Sequence, residues 1–219
     1  MTHTKPKTDR ARLRRGHHLG SYDRETVNAI LDSGYLAHIG HQHEGSAIVT
    51  PMLYWREGGY VYWHGSQASR AMKSVVGNEV CLAVTHFDGL VLAKSAFHHS
   101  ANYRSVMLYG RPEVVLDPDA KLESLRTFME QLFPGRWDKL RPVKDQELKG
   151  TLIVRMAIDE CAAKIRTGPP TVADEDQNVP VWVGVIPLRH QFGTAVTHSV
   201  GGEDFDIPQS VQRHIGRSI

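Results

Sequence analysis

The spacing of apolar and polar positions changes period several times along the chain, and each change predicts an element. Val27, Ile30 and Leu31 share one face of a helical period; Asp23 stands before them as N-cap, Glu25 suits the first turn, and Gly34 ends the run. From Tyr35 the period drops to two. Tyr35 to His41 predicts a strand, His43-Glu-Gly45 a turn, and Ser46 to Trp55 a second strand. Glu57-Gly-Gly59 turns again and Tyr60 to His64 makes a third strand. Two hairpins in succession are an antiparallel meander, not a βαβ unit.

Further along, a helix from about Ser66 to Val76 closes at Gly77-Asn78, Val80 to Phe87 is a strand, and Gly89 to Lys94 is a separate extended piece. Arg104 to Val115 has the β-branched and aromatic enrichment of a strand, which leaves the polar run before it on an entering loop. Asp117-Pro118 caps a helix whose apolar face is Leu122, Leu125, Phe128, Met129 and Leu132, and Pro134-Gly135 breaks it. Arg136 to Lys149 reads as short helical turns anchored by Trp137 and Leu140. Thr151 to Ile158, Cys161 to Arg166 and Val181 to Ile186 are the last strands, with a surface loop around Gly168-Pro-Pro170 and Asp174-Glu-Asp176. No repeat or linker divides the chain. The pattern predicts one closed or partly closed antiparallel barrel over residues 21–189, with helices at its ends, a mobile basic arm over 1–20 and a weakly ordered tail over 190–219.

Composition changes this picture little. The 219 residues are 41% hydrophobic and 23% charged, and a formal net charge of +2 gives no field that implies a nucleic-acid partner. Much of the positive charge lies in Lys5, Lys7, Arg10, Arg12, Arg14 and Arg15, which suits a solvated arm. Cys81 and Cys161 sit in apolar runs without metal-ligand spacing and read as buried, reduced thiols. No run approaches a membrane span and the start lacks a signal-peptide core, so a soluble cytoplasmic protein is expected.

Two stretches carry candidate chemistry. Ser66, Ser69, Arg70 and Lys73 stand at the expected start of a helix, where free N–H groups, hydroxyls and two cations on one face suit a phosphate. Serine caps and solvated cations are the alternative reading. Ser95 to Ser105 crowds His98, His99, Asn102, Tyr103, Arg104 and several hydroxyls into one run. There His98 reads as a hydrogen bond to its own loop, while His99 is open between that and a proton-transfer role. His38, His41 and His43 lack a carboxylate-backed spacing, so no metal site is expected. Tyr54, Trp55, Tyr60, Tyr62 and Trp63 read as barrel wall. No Gly-x-Gly-x-x-Gly follows a strand and no Walker loop is present, which counts against a dinucleotide-binding Rossmann domain.

Taken in order, Tyr22-Asp-Arg-Glu-Thr, Pro51-Met-Leu-Tyr-Trp55, Tyr62-Trp-His-Gly-Ser66 with Ser69-Arg70, Phe97-His-His-Ser-x-Asn-Tyr-Arg-Ser-Val106, and Arg166-Thr-Gly-Pro-Pro with Val181-Trp182 reach from about Tyr22 to Leu188. With these pieces the sequence resembles the flavin-binding split-barrel proteins related to pyridoxamine 5′-phosphate oxidase, in the branch of the nitroimidazole-resistance, nitroreductase-like proteins. The resemblance implies a mainly β fold, a six-stranded antiparallel Greek-key split barrel with flanking helices. It implies a homodimer with FMN at the subunit interface and a small-molecule substrate.

By the same resemblance, Thr50, Pro51, Met52 and Leu53 line the isoalloxazine edge. Gly65, Ser69 and Arg70 belong to the phosphate end, with Lys73 as a further contact. Asn102, Tyr103, Arg104 and Ser105 match a loop that approaches the flavin from the other subunit, and Trp182 a late aromatic near the ring. His64 resembles a functionally assigned histidine of the nitroimidazole-resistance relatives, so His64 or His99 is the candidate proton donor. The substrate-phosphate residues of a true pyridoxamine phosphate oxidase are not found. The activity implied is FMN-dependent reduction of a nitro- or quinone-like acceptor. Alternatives are haem binding or degradation through a histidine, a non-catalytic flavin module, and a deazaflavin.

Overall fold

The computed structural model describes residues 5–201 and 205–218. Its strands are β1 (Gly20–Ser21), β2 (Leu36–His43), β3 (Ser46–Glu57), β4 (Tyr60–Ser66), β5 (Val80–Leu92), β6 (Ser100–Gly110), β7 (Glu113–Val114), β8 (Thr151–Ala157), β9 (Glu160–Arg166) and β10 (Gly184–Pro187). The helices are α1 (Arg24–Asp32), α2 (Arg70–Val75), α3 (Pro118–Leu132), α4 (Asp145–Gly150) and α5 (Gln209–Gln212). The sheet order is β1-β9-β6-β5-β2-β3-β4-β8-β7, with β10 added to β5, and every pairing is antiparallel.

The hairpins β2–β3 and β3–β4, with β5 returning beside β2, are a Greek key. Consecutive β8 and β9 pair with β4 and β6 respectively and not with each other, so the chain crosses between the sheet's two flanks there. Ile39, Leu82, Val106, Val61, Trp63, Met156 and Ala163 from both flanks enclose one core, into which α1 sends Val27, Ile30 and Leu31. The expected split barrel is present, with three strands of only two to four residues added at its margins.

Two of the three expected helix starts hold. The Asp23 carboxylate accepts the Thr26 N–H at 3.0 Å, and Asp117 accepts that of Ala120 at 2.8 Å with Pro118 at the first turn. The β2–β3 turn uses Glu44 at φ 50 and Gly45 at φ 78, the paired left-handed residues that a two-residue hairpin needs.

Several boundaries moved. The helix after β4 starts at Arg70, four residues later than expected, because Ser66 still pairs with Thr151 in the sheet. Strand β5 runs unbroken past Gly89 because a register shift between Phe87 and Gly89 absorbs Asp88 as a bulge. Strand β6 begins at Ser100, so Asn102 to Ser105 are strand residues, not an entering loop; Asn102 pairs with β5 and Tyr103 to Ser105 pair on both sides. Val181 and Trp182 precede β10. Cys161 is buried as expected, while Cys81 lies on the outer side of β5 and is partly exposed.

The stretch expected to be a mobile arm lies along β9. Arg10 bridges Glu160 at 2.6 Å and Glu79 at 2.8 Å, Lys7 pairs with Asp159, Ala11 is buried, and Gly20–Ser21 extends the sheet. The stretch expected to be a weakly ordered tail folds back on α3. The buried His214 lies between Phe133 and Phe192, at 5.2 and 5.1 Å, and its Nε2 meets the Leu132 carbonyl. Residues 1–4, 202–204 and 219 of these two stretches lie outside the described residues.

Candidate functional site

Arg70 and Lys73 are one helical step apart and both line a groove of ≈ 490 Å³ between α2 and the β2–β3 hairpin. Neither side chain has a hydrogen bond or ion pair among the described residues. The Ser69 hydroxyl accepts the Met72 N–H at 3.4 Å and Ser66 accepts that of Ala68 at 3.2 Å, so both serines are caps. With α2 only six residues long, affinity for an anion here rests on side chains more than on the helix start.

The groove contains His43, which the sequence reading had weighed only as a metal ligand, and Ser74, which it had not considered. His43 Nδ1 and Ser74 Oγ lie 2.9 Å apart, and the His43 ring faces the cations from the hairpin side. The carboxylate of Glu44 stands 3.9 Å from His43 Nε2 and is the one negative group at the rim. Otherwise His43 stood in the sequence only as the start of a turn. Only the packing of α2 on β2 gives it a chemical context.

Alternation divides the β3 candidates between two faces. Thr50 and Met52 turn inward; Thr50 Oγ1 lies 3.3 Å from Nε2 of the buried His41, and Met52 packs on the core. Pro51 and Leu53 are exposed on the outer face. The register sets Leu53 beside Leu36, Pro51 beside His38 and Val49 beside Gly40, and β5 and β6 add Ala83, Met107, Phe87 and Tyr103. Leu36, Val49, Leu53, Phe87 and Met107 remain 38 to 64% exposed there, an apolar face that no described residue covers. Gly65 has a steric reason to be glycine, since a Cβ would stand 2.7 Å from Cγ of the buried Met72 side chain.

His64 lies on that same outer side of β4. Its ring is 5.9 Å from Trp55 and 5.4 Å from Phe128, and its Nδ1 is buried without a partner. Burial lowers its pKa below the ordinary imidazole value, so the ring is neutral at pH 7. A neutral imidazole is a poor acid and a good ligand. One step beyond the last pair of the β3–β4 ladder, Tyr54–Trp63, His64 comes opposite Leu53, at the edge of the bare apolar face.

The β6 candidates are largely committed to the fold. The buried Asn102 donates to the Gly168 carbonyl at 3.1 Å and accepts from Arg166. Arg104 holds Asp88 through Nε at 2.9 Å and Nη2 at 2.8 Å, and Ser105 bonds the Lys164 carbonyl at 3.3 Å. Tyr103 faces outward beside Phe87. His98 and His99 both serve their own turn: His98 Nδ1 lies 2.7 Å from Ser95 Oγ, and His99 Nδ1 meets the Ser95 carbonyl at 2.9 Å. Strand β5, thirteen residues and so about 40 Å long, separates that turn from the Arg70 end. Within one chain the structure therefore does not bring His99 to the cation groove. Trp182 is 64% exposed before β10. Among the described residues no three His, Cys, Asp or Glu side chains gather as metal ligands, and no helix is long and apolar enough to cross a membrane.

Comparison with known proteins completes the site's context. Residues 23–165 match the family model described as pyridoxamine 5′-phosphate oxidase, and the chain belongs to that family. The flavocytochrome Anf3 from Azotobacter vinelandii is 43% identical, with 97% of this chain and 100% of that one covered and a TM-score of 0.93. The FAD and heme binding protein from Mycobacterium smegmatis is 33% identical over 90% of this chain and 98% of that one, with a TM-score of 0.85. A 5-nitroimidazole antibiotic resistance protein from Bacteroides thetaiotaomicron, described as putative, shares the fold at 19% identity, covering 67% of this chain and 86% of that one with a TM-score of 0.57. No curated protein sequence matches the chain.

Proposed function

We propose that this protein is a flavin-binding redox protein that carries haem as a second redox group and works as a homodimer. The observation that carries the flavin half is the pair Arg70 and Lys73, two cations without partners among the described residues, facing one groove with His43 and Ser74. Such a cluster suits the phosphate of FMN or the pyrophosphate of FAD. The mycobacterial relative is an FAD and heme binding protein, which favours FAD over the FMN expected from the sequence.

His64 supports the haem half. It is neutral, bordered by Trp55 and Phe128, and adjacent to the apolar face that begins at Leu53, so its lone pair would be available to hold a haem iron. A flavocytochrome at 43% identity over nearly the whole chain points the same way. When bound, a flavin and a haem supply one- and two-electron transfer. The chain's own part is to hold a phosphate with Arg70 and Lys73, offer the His64 lone pair, and keep water from the apolar face. That face, from Leu36 and Val49 across to Met107, supports the dimer, since monomers rarely leave such a patch bare. A nitro- or quinone-like acceptor remains the substrate class proposed, reached through the flavin.

The test is the absorption spectrum of the purified protein, joined to chromatography of the flavin released by acid. Flavin bands together with a Soret band that shifts on reduction are expected. Arg70→Ala should lose the flavin bands and keep the Soret band, and His64→Ala the reverse. A colourless protein that takes up neither group from excess overturns the reading.

A further inference from the structure

Strands β2 and β5 pair only from His38–Ala83 to Gly40–Cys81 and then part. A groove of ≈ 740 Å³ opens beside the parting, walled by the β2–β3 hairpin, the residues entering β5, Tyr109 of β6 and Arg10. It shares Gln42, Glu44 and Asn78 with the groove of Arg70 and Lys73, so the two adjoin.

The open polar groups of this second groove differ in kind from those of the first. Gln42, Glu44, Asn78 and Glu79 are all exposed. The Asn78 amide gives its N–H to the Ser74 carbonyl at 3.0 Å, which leaves Oδ1 to accept. Glu79 Oε1 lies 2.8 Å from Arg10 Nη1, and its other oxygen has no partner among the described residues. Among those residues Glu44 meets only the His43 imidazole, at 3.9 Å, and the Gln42 amide meets nothing. Acceptors therefore outnumber donors here, whereas Arg70 and Lys73 offer donors alone. One end favours phosphate; the other repels it and favours hydroxyl and amino groups.

Arg10 closes the acceptor end. It holds Glu160 through Nε at 2.9 Å and Nη2 at 2.6 Å, and its Cζ lies 4.7 Å from the centre of the Tyr109 ring. The guanidinium is pinned and its charge is matched, yet 41% of the side chain stays exposed. Such a plane is a surface on which a nucleobase can lie.

We propose that the adenosine half of FAD lies in this second groove, with its pyrophosphate at Arg70 and Lys73, its ribose hydroxyls at Gln42 and Glu44, and its base beside Glu79 and Arg10. This rests on the flavin reading above and adds to it the residues that select FAD over FMN. FMN ends at its phosphate and leaves the acceptor end unused. Val49 belongs both to this groove and to the bare apolar face, so the nucleoside borders the proposed dimer.

The experiment titrates the full-length protein, freed of bound flavin, with FMN, FAD, ADP and inorganic pyrophosphate. FAD should bind at least about tenfold tighter than FMN, and ADP at least about tenfold tighter than pyrophosphate. Glu79→Ala, at an exposed position outside the first groove, should shrink both differences about tenfold while FMN affinity holds. Arg70→Ala should weaken all four ligands. Equal affinity for FMN and FAD overturns the adenosine groove and leaves the flavin reading standing. A preference for FAD that survives in folded Glu79→Ala overturns the placement of the base. Binding of neither flavin, with ADP still tighter than pyrophosphate, overturns the flavin reading and keeps the nucleotide groove; ADP no tighter than pyrophosphate overturns the groove.

Discussion

Arg104 grips Asp88 with two parallel hydrogen bonds, 2.9 Å from Nε and 2.8 Å from Nη2, and Asp88 is the residue that β5 squeezes out as a bulge. The Arg104 Nη1 also reaches Ser33 Oγ at 3.4 Å, and the Leu188 N–H bonds the Asp88 carbonyl at 3.0 Å. One guanidinium thus ties β6, the β5 bulge and the end of α1, while Asp88 tethers the chain leaving β10. Within one chain the Arg104 side chain is held by Asp88 and Ser33.

Arg104→Ala should therefore destabilise the protein by about 1–2 kcal/mol, the range for a two-bond ion pair that is partly solvated. Flavin affinity should hold in the folded fraction. Urea denaturation with a parallel flavin titration measures both, and a large loss of affinity at unchanged stability would return Arg104 to the cofactor site.

Arg70→Ala should weaken flavin binding about tenfold or more, because a charge-assisted bond to phosphate is worth about 1.5–3 kcal/mol. The side chain is exposed and has no partner among the described residues, so the melting temperature of the apoprotein should stay put. Titrating the folded mutant with FMN and with FAD decides it, and unchanged affinity for both removes the phosphate assignment.

The His64 pKa lies below the ordinary imidazole value of 6.5 because burial disfavours the charged ring. Above that value the ring is neutral in both folded and unfolded chains and adds no pH dependence. Below it the unfolded chain takes up the proton first, so the stability linked to this residue falls as pH drops through 6.5 toward the folded pKa. His64→Phe should flatten that part of the curve. Denaturation midpoints of both proteins between pH 5 and 8 (an interval chosen to bracket imidazole titration) test it, and identical slopes refute a buried neutral His64.

Val49 is 64% exposed on the bare apolar face. Val49→Asp should weaken the proposed dimer on the order of a hundredfold by burying a charge against its symmetry mate, while the monomer stays folded. Sedimentation equilibrium should show a dimer becoming a monomer. A wild-type monomer at high concentration would leave the face without this explanation.

Much of the fold was legible because it is locally encoded. Asp23 and Asp117-Pro118 start their helices through contacts three residues away, and Glu44-Gly45 turns its hairpin through its own dihedral angles. Alternation along β2, β3 and β4 located the meander. Arg70 and Lys73 were found together because helical spacing alone sets them side by side. His43 was not, since its meeting with Ser74 spans 31 positions.

Local pattern, caps and turns are short-range physics, and by itself the sequence determined with them the barrel's meander, both long helices and the cation pair. The tertiary structure alone decided what depends on distant partners. Arg10 finds Glu160 across 150 positions and His214 finds Leu132 across 82, which turns an unpatterned arm and tail into packed structure. The same long reach assigns Asn102 and Arg104 to Arg166 and Asp88. A charged side chain takes its role from the partner it meets, and that partner is set by how the sheet closes.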